Sequence, residues 1–579
     1  MLRVSGRGVA SIAMICLVLL AATPSSSLGQ QAAPCPGLPN GQFPEWRLDQ
    51  HPELADMAPT IRSILEDSRV SYRGPRGAVE GFIPGPIYSY PEGPVAFYIY
   101  GRDTATIVPM ARYYVPAVAL RSVVEEFARL QYTDATVSAD GDLNQPVGAG
   151  ALSATISPDF RVNKATITSD EEPSVILTAA HYYRTSGDVA WLETELDGQT
   201  LIDRLNEAME WLIRHRWEEG VDLIKRGHTT DWGDVKMEDA PQPTDISVHH
   251  VWTYSIYDQA LTFAALRGLA EMNLALGRSD LSQRYLRLAD TLRESTDARL
   301  WMPERVYYRI HLHATYTSAP HEFDEDAIIS IGNAAAVYYG LATGARVGSI
   351  VERLEAARVV AGAPKAGLTL FPAYPNGEFI QINMSERRYQ NGALWDWWAG
   401  RQITAEYESG FSRFGDAHLM QLALDWSRHP GEVFEWESPW TDARSLDNRY
   451  AGAASVVGEA VVRGLFGITL RHGSLEIAPR LTSRDGAIGL TDIANGTRVA
   501  YAYAYDDTSR RIDICYETTF DGPISVRPLL PAGLSVRAAR LDDVPVNFAT
   551  RVINEDRYAL VVGAEGSHRV TLELAPTAP

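Results

Sequence analysis

The chain reads as a mainly α protein, an (α/α)6 toroid of six helical hairpins followed by a C-terminal antiparallel β-sandwich. Three observations predict it. A helix, glycine turn, helix plan recurs around Gly187, Gly277, Gly344 and Gly410, at intervals of roughly 65–90 residues. A short cluster of acids and aromatics precedes the first helix of each hairpin: "YIYGRDTA" (98–105), "TSDEEP" (168–173), "TDWGD" (230–234), "HEFDED" (321–326), "RYQNGALWDWW" (388–398) and "VFEWESP" (433–439). After Gly467 the apolar period changes from 3.6 to 2, in "SLEIAPRL", "TRVAYAYAYDD", "RIDICYETT" and "HRVTLELAP". Six clusters imply six hairpins and about twelve helices, and closing them into a ring sets all six loops at one mouth.

The elements follow in order. Arg3 and Arg7, an apolar run from about Val9 to Ala22, and small residues at Ser27 and Gly29 read as a signal peptide over residues 1–29. No later run is apolar over about 18 residues, so no integral membrane segment is expected once the signal is removed, and the protein is expected to be secreted or periplasmic. Residues 30–95 are rich in Pro and Gly, show little periodicity and read as a lead-in segment. The catalytic barrel is expected over 96–467 and the sandwich over 468–579. Within the barrel, Ala260, Ala264 and Gly268 form a small-residue stripe on one helix, a surface that lets a neighbouring helix approach closely. Asp280 is placed to cap the helix after it.

Composition narrows the function. A net charge of −21 argues against nucleic acid and polyanionic substrates, while 13 Trp and 27 Tyr supply flat apolar surface for neutral rings. Two cysteines outside the signal, Cys35 and Cys515, can pair after export or stay as free thiols. There is no GxSxG, phosphate loop or CxxC. His249-His250 and the pair His311 and His313 lack a clear ligand set, so neither a metal nor a cofactor is expected.

Paired carboxylates at such a mouth suit glycosidic bond hydrolysis. One acid protonates the leaving oxygen and the other, ionised, draws a proton from water. Asp234, after Trp232-Gly233, and Glu435, between Phe434 and Trp436, are the candidates. Arg102, Asp103, Asp231, Trp232, Tyr389, Asn391, Trp395 and Trp436 are the expected sugar contacts, with Trp232 as the stacking platform. Structural roles compete. Asp231 or Asp234 can cap the helix that begins near Tyr254, Asp103 can be a plain ion-pair partner, and Trp395, Trp397 and Trp398 lie on one helix that must also build core.

Several stretches carry a resemblance: "YGRDT" (100–104), "DEEPSVILTAAHYYRTSGD" (170–188), "WGDVK" (232–236), "YQNGALWDWW" (389–398) and "FEWESPW" with "YAGAASVVGEAVVRGLFGI" (434–468). They resemble the six-hairpin glycosidases. The GRDT, the aspartate in a W-x-D-x-K setting and the NG-x-x-W stretch are similar to glycogen-debranching glucosidases. The last block, a helix ending RGLFGI before a sandwich, is similar to α-L-rhamnosidases. The resemblance implies an inverting reaction on a carbohydrate, with the general acid carried onto Asp234 and the base onto Glu435. Asp396 departs from the glucosidase pattern, which has proline there. Asp231 competes as the acid and Glu437 as the base. Two rivals stand beside a neutral, α-linked substrate: a polysaccharide lyase of the same architecture, which needs cationic groups for a uronate, and a non-catalytic glycan-binding protein.

Overall fold

The computed structural model describes residues 35, 37–74, 77–89, 97–133, 147–157, 164, 167–237, 251–314 and 323–577. The signal peptide, the acids Glu238 and Asp239, and the pair His249-His250 lie outside them. Among the described residues, twelve helices of seven or more residues carry the first part of the fold. They are α1 (Met57–Ser68), α2 (Gly101–Ala111), α3 (Ala117–Arg129), α4 (Glu171–Ser186), α5 (Leu201–Arg216), α6 (Ile256–Ala275), α7 (Ser279–Arg299), α8 (Gly332–Tyr338), α9 (Ala345–Ala361), α10 (Asp396–Glu408), α11 (Ser412–Arg428) and α12 (Ala451–Glu459).

The even-numbered helices pack in a closed cycle: α2 on α4, α4 on α6, α6 on α8, α8 on α10, α10 on α12, and α12 back on α2. The odd-numbered helices lie against them, α3 on α4, α5 on α4 and α6, α7 on α6, α9 on α8 and α11 on α10. Inner helices touch neighbours on several sides, so their sequences lose amphipathicity. In α12 every residue is buried, and in α6 the buried residues run right round the helix. The small-residue stripe of α6 does what was expected. Ala260 and Ala264 are buried, and a side chain at Gly268 would meet Ala180 of α4. Hairpin turns end in the left-handed region, as at Gly187 (φ 67°) after α4.

Four readings change. The segment read as a lead-in contains α1, and α1 packs against α12, as the outer partner of the last inner helix. The same segment contributes strand Glu45–Leu48, paired with Gly486–Asp492 of the C-terminal part. Asp280 is not a cap, because the cap position of α7 is Arg278 and Asp280 sits within the first turn. The stretch 250–300 is not wholly helical: β2 (Trp252–Ser255) lies between β1 (Arg226–Gly227) and β3 (His311–His313) in a three-stranded antiparallel sheet.

Beyond residue 467 the chain forms a five-stranded sheet and six strands of a seven-stranded one, whose edge strand is Glu45–Leu48. The five-stranded sheet is not purely antiparallel, since Ser474–Ile477 runs parallel to Ile524–Val526. Alternating residues such as Ile512, Ile514 and Tyr516 in one sheet and Leu475 and Ile477 in the other join the same apolar core as the helices. Cys35 and Cys515 form a disulfide, which ties the chain start to the strand Arg511–Thr518. No helix among the described residues is long and apolar enough to cross a membrane.

The α10–α12 contact is the tightest test of the ring. A Cβ at Gly400 would lie 2.5 Å from the backbone carbonyl carbon of Val456 and 2.7 Å from the Val457 nitrogen. Gly400→Ala must therefore push two inner helices apart, costing about 1–3 kcal/mol. A lowered urea midpoint with an unchanged far-UV spectrum is the expected result, and an unchanged midpoint would show that the contact is loose.

Candidate active site

The loops that precede the inner helices meet at one end of the ring. Arg102, in the first turn of α2, reaches the loop before α4 and donates twice to Asp170, Nε to Oδ2 at 2.6 Å and Nη2 to Oδ1 at 3.1 Å. Tyr257, in the first turn of α6, donates its hydroxyl to Asp170 Oδ2 at 3.1 Å. The remaining Arg102 nitrogen, Nη1, lies 3.5 Å from Asp234 Oδ2. Three hairpins are thus joined through one guanidinium, whose planar fork suits a bidentate carboxylate.

Asp234 is 33% exposed at its side chain and faces the opening. Gln390 holds it at two points, donating Nε2 to Oδ1 at 2.8 Å and accepting the Asp234 backbone N–H at 3.2 Å. The two loops involved carry residues in the left-handed region, Asp231 at φ 65° and Tyr389 at φ 45°. Strained backbone of this kind is held only where surrounding contacts over-determine it.

Glu435 lies across the site and is 8% exposed. The Tyr88 hydroxyl donates to its Oε1 at 3.3 Å, and its backbone N–H is accepted by Ser445 Oγ at 3.0 Å. Burial pushes its carboxyl up to about 8, with Asp103, Asp447 and Asp234 adding repulsion and the Tyr88 hydrogen bond partly offsetting it. Asp103 accepts the Tyr450 hydroxyl at 2.7 Å, and burial still raises it to about 6. Tyr389 is pushed well up by burial and by Asp234 and Glu435, with Arg102 and Asp103 also acting on it. Arg102, Asp103, Asp234, Tyr389 and Glu435 therefore act on one another electrostatically.

Other expected contacts lie beneath this surface. Trp232 is 1% exposed and meets Trp395, Trp397 and Trp398 edge-on at 4.8–5.5 Å between ring centroids. Its faces are covered, which corrects its reading as a sugar platform. Trp395 is buried too and donates its Nε1 to the Tyr389 carbonyl at 2.9 Å. Asn391 spends its side chain on the backbone of Tyr374 and Met384. Trp436 is nearly buried beside Tyr389. Asp231 is fully buried, accepting the Tyr257 N–H at 3.1 Å in the first turn of α6 and the Ser330 hydroxyl at 2.5 Å. The N-cap of α6 is Ser255, which accepts the Asp258 N–H, so Asp231 binds a further first-turn amide from outside the helix, a structural role that competed with its catalytic reading.

The rival carboxyls near Glu435 have other partners. Glu437 lies 2.5 Å from Lys365 Nζ, which also meets Asp396 and Asp425, each at 2.7 Å. Asp396, the departure from the glucosidase pattern, thus belongs to a buried ion cluster. Glu432 accepts from Asn448. Sequence reading missed Tyr88, Gln390, Tyr450 and the role of Asp170. Tyr450 and Asp170 were findable, since each directly precedes an inner helix, whereas Tyr88 lies in a segment without periodicity.

No family model matches the chain, and no curated protein matches it in sequence. Solved structures do. An α-L-rhamnosidase from Dictyoglumus thermophilum is 11% identical at a TM-score of 0.60, over 92% of this chain and 50% of its own. A protein described as a sialidase is 11% identical at a TM-score of 0.58, over 89% and 41%. The Streptomyces avermitilis α-L-rhamnosidase complexed with L-rhamnose is 13% identical at a TM-score of 0.56, over 93% and 42%. The fold is similar to that of α-L-rhamnosidases, in line with the resemblance to six-hairpin glycosidases. The chain spans half or less of the length of these proteins.

Burial raises Asp231 to about 7. An aspartate in the unfolded chain releases its proton near pH 4, so the folded state holds that proton more tightly. The stability this contributes is present below about pH 4 and is lost as pH rises toward 7. Asp231→Asn cannot ionise, so it should remove a few kcal/mol of the decline between pH 4 and 7 while changing turnover far less than Asp234→Asn. Urea unfolding at pH 5 and pH 8 measures the first effect. An unaltered pH dependence in the variant would contradict a buried, protonated Asp231.

Proposed function

We propose that the protein is a secreted glycoside hydrolase acting on a neutral, α-linked oligo- or polysaccharide by inversion, with Asp234 as general acid and Glu435 as general base. The observation that carries this reading is the facing pair itself, one carboxyl at the opening and one recessed, in a shared field at the mouth of a helical ring. Inversion needs a water between sugar and base, which asks for carboxyls about 6.5–9.5 Å apart. Arg102, Asp103 and Tyr389 would bind hydroxyls, while Trp232, Trp395, Asn391, Asp231 and Trp436 support them from beneath.

The bidentate bond from Arg102 to Asp170 favours this reading over a lyase, because a guanidinium already neutralised by a carboxylate is a poor partner for a uronate. The fold-level likeness supports a glycosidase but not a particular sugar, since the similar structures are described both as rhamnosidases and as a sialidase. The rest of the architecture is read as an (α/α)6 toroid over 96–467, and two sheets stacked as a sandwich over 468–579. The basic, apolar leader and the Cys35–Cys515 bond support export.

A second reading exchanges the roles. The raised carboxyl of Glu435 favours it as the proton donor, with Asp234 activating the water. The pH profile separates the two. As a base, Glu435 must be ionised, so kcat/KM climbs with pH toward a limb near about 8. As an acid, it must be protonated, so kcat/KM falls above about 8.

Leaving-group dependence gives an independent check. Under the primary assignment, Asp234→Asn loses about 10²–10⁴-fold on glycosides with poor leaving groups and much less on activated aryl glycosides. Glu435→Gln loses a similar amount on both, with binding kept. The reverse pattern identifies the exchanged roles, and losses below a few-fold in both variants would overturn the carboxyl pair. A first product of retained anomeric configuration by NMR would overturn inversion.

A further inference from the structure

The three-stranded sheet beside the acid loop assembles a cluster that the reaction above does not use. In β3, His311 and His313 stand two residues apart and so project to one side. β2 separates β3 from β1, and His228 directly follows β1. All three imidazoles meet Glu325. His228 Nε2 lies 3.0 Å from Oε1 and His313 Nε2 lies 2.6 Å from Oε2. His311 Nδ1 lies 3.2 Å from Oε1, and the Tyr374 hydroxyl donates to Oε1 at 2.6 Å. One ligand atom each from His228, His313 and Glu325 lies within 4.8 Å of the other two.

The geometry points to a divalent transition-metal site of the zinc type, held by His228, His313 and Glu325. Two histidines and a glutamate form a ligand set that such ions take with an ion-to-atom distance of about 2.0–2.2 Å. In a tetrahedral site that places ligand atoms roughly 3.3 Å apart, so the histidine–carboxylate pairs need to part by about half an ångström while the widest pair, at up to 4.8 Å, closes in. His311 is not a ligand. Its Nε2 accepts the Asp231 backbone N–H at 3.2 Å, which directs its Nδ1–H at Glu325. With Tyr374 it orients the carboxylate, the usual task of groups behind a metal ligand.

Metal on the Nε2 atoms of His228 and His313 requires only the tautomer with the proton on Nδ1. The consequence is positional. Through His311 the site grips the backbone of Asp231, one residue from Trp232 and three from Asp234, so the ion fixes the loop that presents the candidate acid. This holds whichever carboxyl donates the proton.

Full-length protein, stripped with a chelator and then titrated with zinc chloride, tests it. One zinc per chain by elemental analysis and a thermal midpoint raised by several degrees are expected. Glu325→Gln keeps the hydrogen-bond acceptor and removes the charge, and His313→Gln removes one ligand. Both should fold by circular dichroism and lose stoichiometric zinc. Cobalt in place of zinc should give the visible absorption of a low-coordinate site in the parent only. Failure of the parent to take up zinc or cobalt would overturn the proposal and leave a hydrogen-bonded histidine cluster. Zinc retained equally by both variants would overturn it as well. These readouts do not involve turnover, so they stand apart from the outcome of the carboxyl substitutions.

Discussion

The contact that the rest of the structure depends on is the seam where α12 closes against α2. It joins segments about 350 residues apart, and it is polar as well as apolar: Ser455 donates its hydroxyl to the Ile107 carbonyl at 3.0 Å within the helix pair. The candidate site straddles this seam. The Tyr450 hydroxyl reaches Asp103 across it, and Glu435, on the loop before α12, receives Tyr88 from the segment before α2. An open ring would leave Asp234 with Arg102 and Gln390 but would carry Glu435 away. Closure therefore assembles the second carboxyl, and α1 on the outside of α12 and the strand Glu45–Leu48 in the C-terminal sheet both reinforce it.

The helical plan was legible because it rests on local signals. Glycines at the turns, clusters before inner helices and the change of period after Gly467 are all patterns of near neighbours in sequence. Arg102, Asp103, Asp234, Tyr389 and Glu435 could be named for the same reason, since each lies in a polar cluster at the start of an inner helix or ahead of one. Burial within the cluster was not. Trp232 and Asp234 are two residues apart, yet one packs under three tryptophans and the other faces the opening. Only the path of the loop between them decides this, and that path depends on Gln390, on His311 and on the positive φ of Asp231. These partners lie 80 to 156 residues away. The lead-in segment failed for a related reason. It has no hairpin of its own, and α1 acquires its role only when α12 arrives.

Electrostatics shows what the closed site costs. Asp103, Asp231 and Glu435 are all raised by burial, so each prefers to fold with its proton, and the free protein becomes less stable as these groups ionise. Asp231 among them accepts a first-turn amide of α6. Keeping two further carboxyls in the same field as Asp234 contributes nothing to packing, and a core built for stability alone would replace them with apolar residues. Local destabilisation of this kind clusters where chemistry needs a group poised between two protonation states. Tyr88 and Tyr450 face Glu435 and Asp103 with donors rather than bases. The arrangement therefore ties the charge of the pocket to whatever enters it. A neutral ring that displaces water from Glu435 deepens its burial and strengthens its hold on the proton, whereas a cationic transition state draws the proton away. That difference between ground and transition state, rather than the number of acids at the mouth, is what the proposed glycosidase has available to lower its barrier.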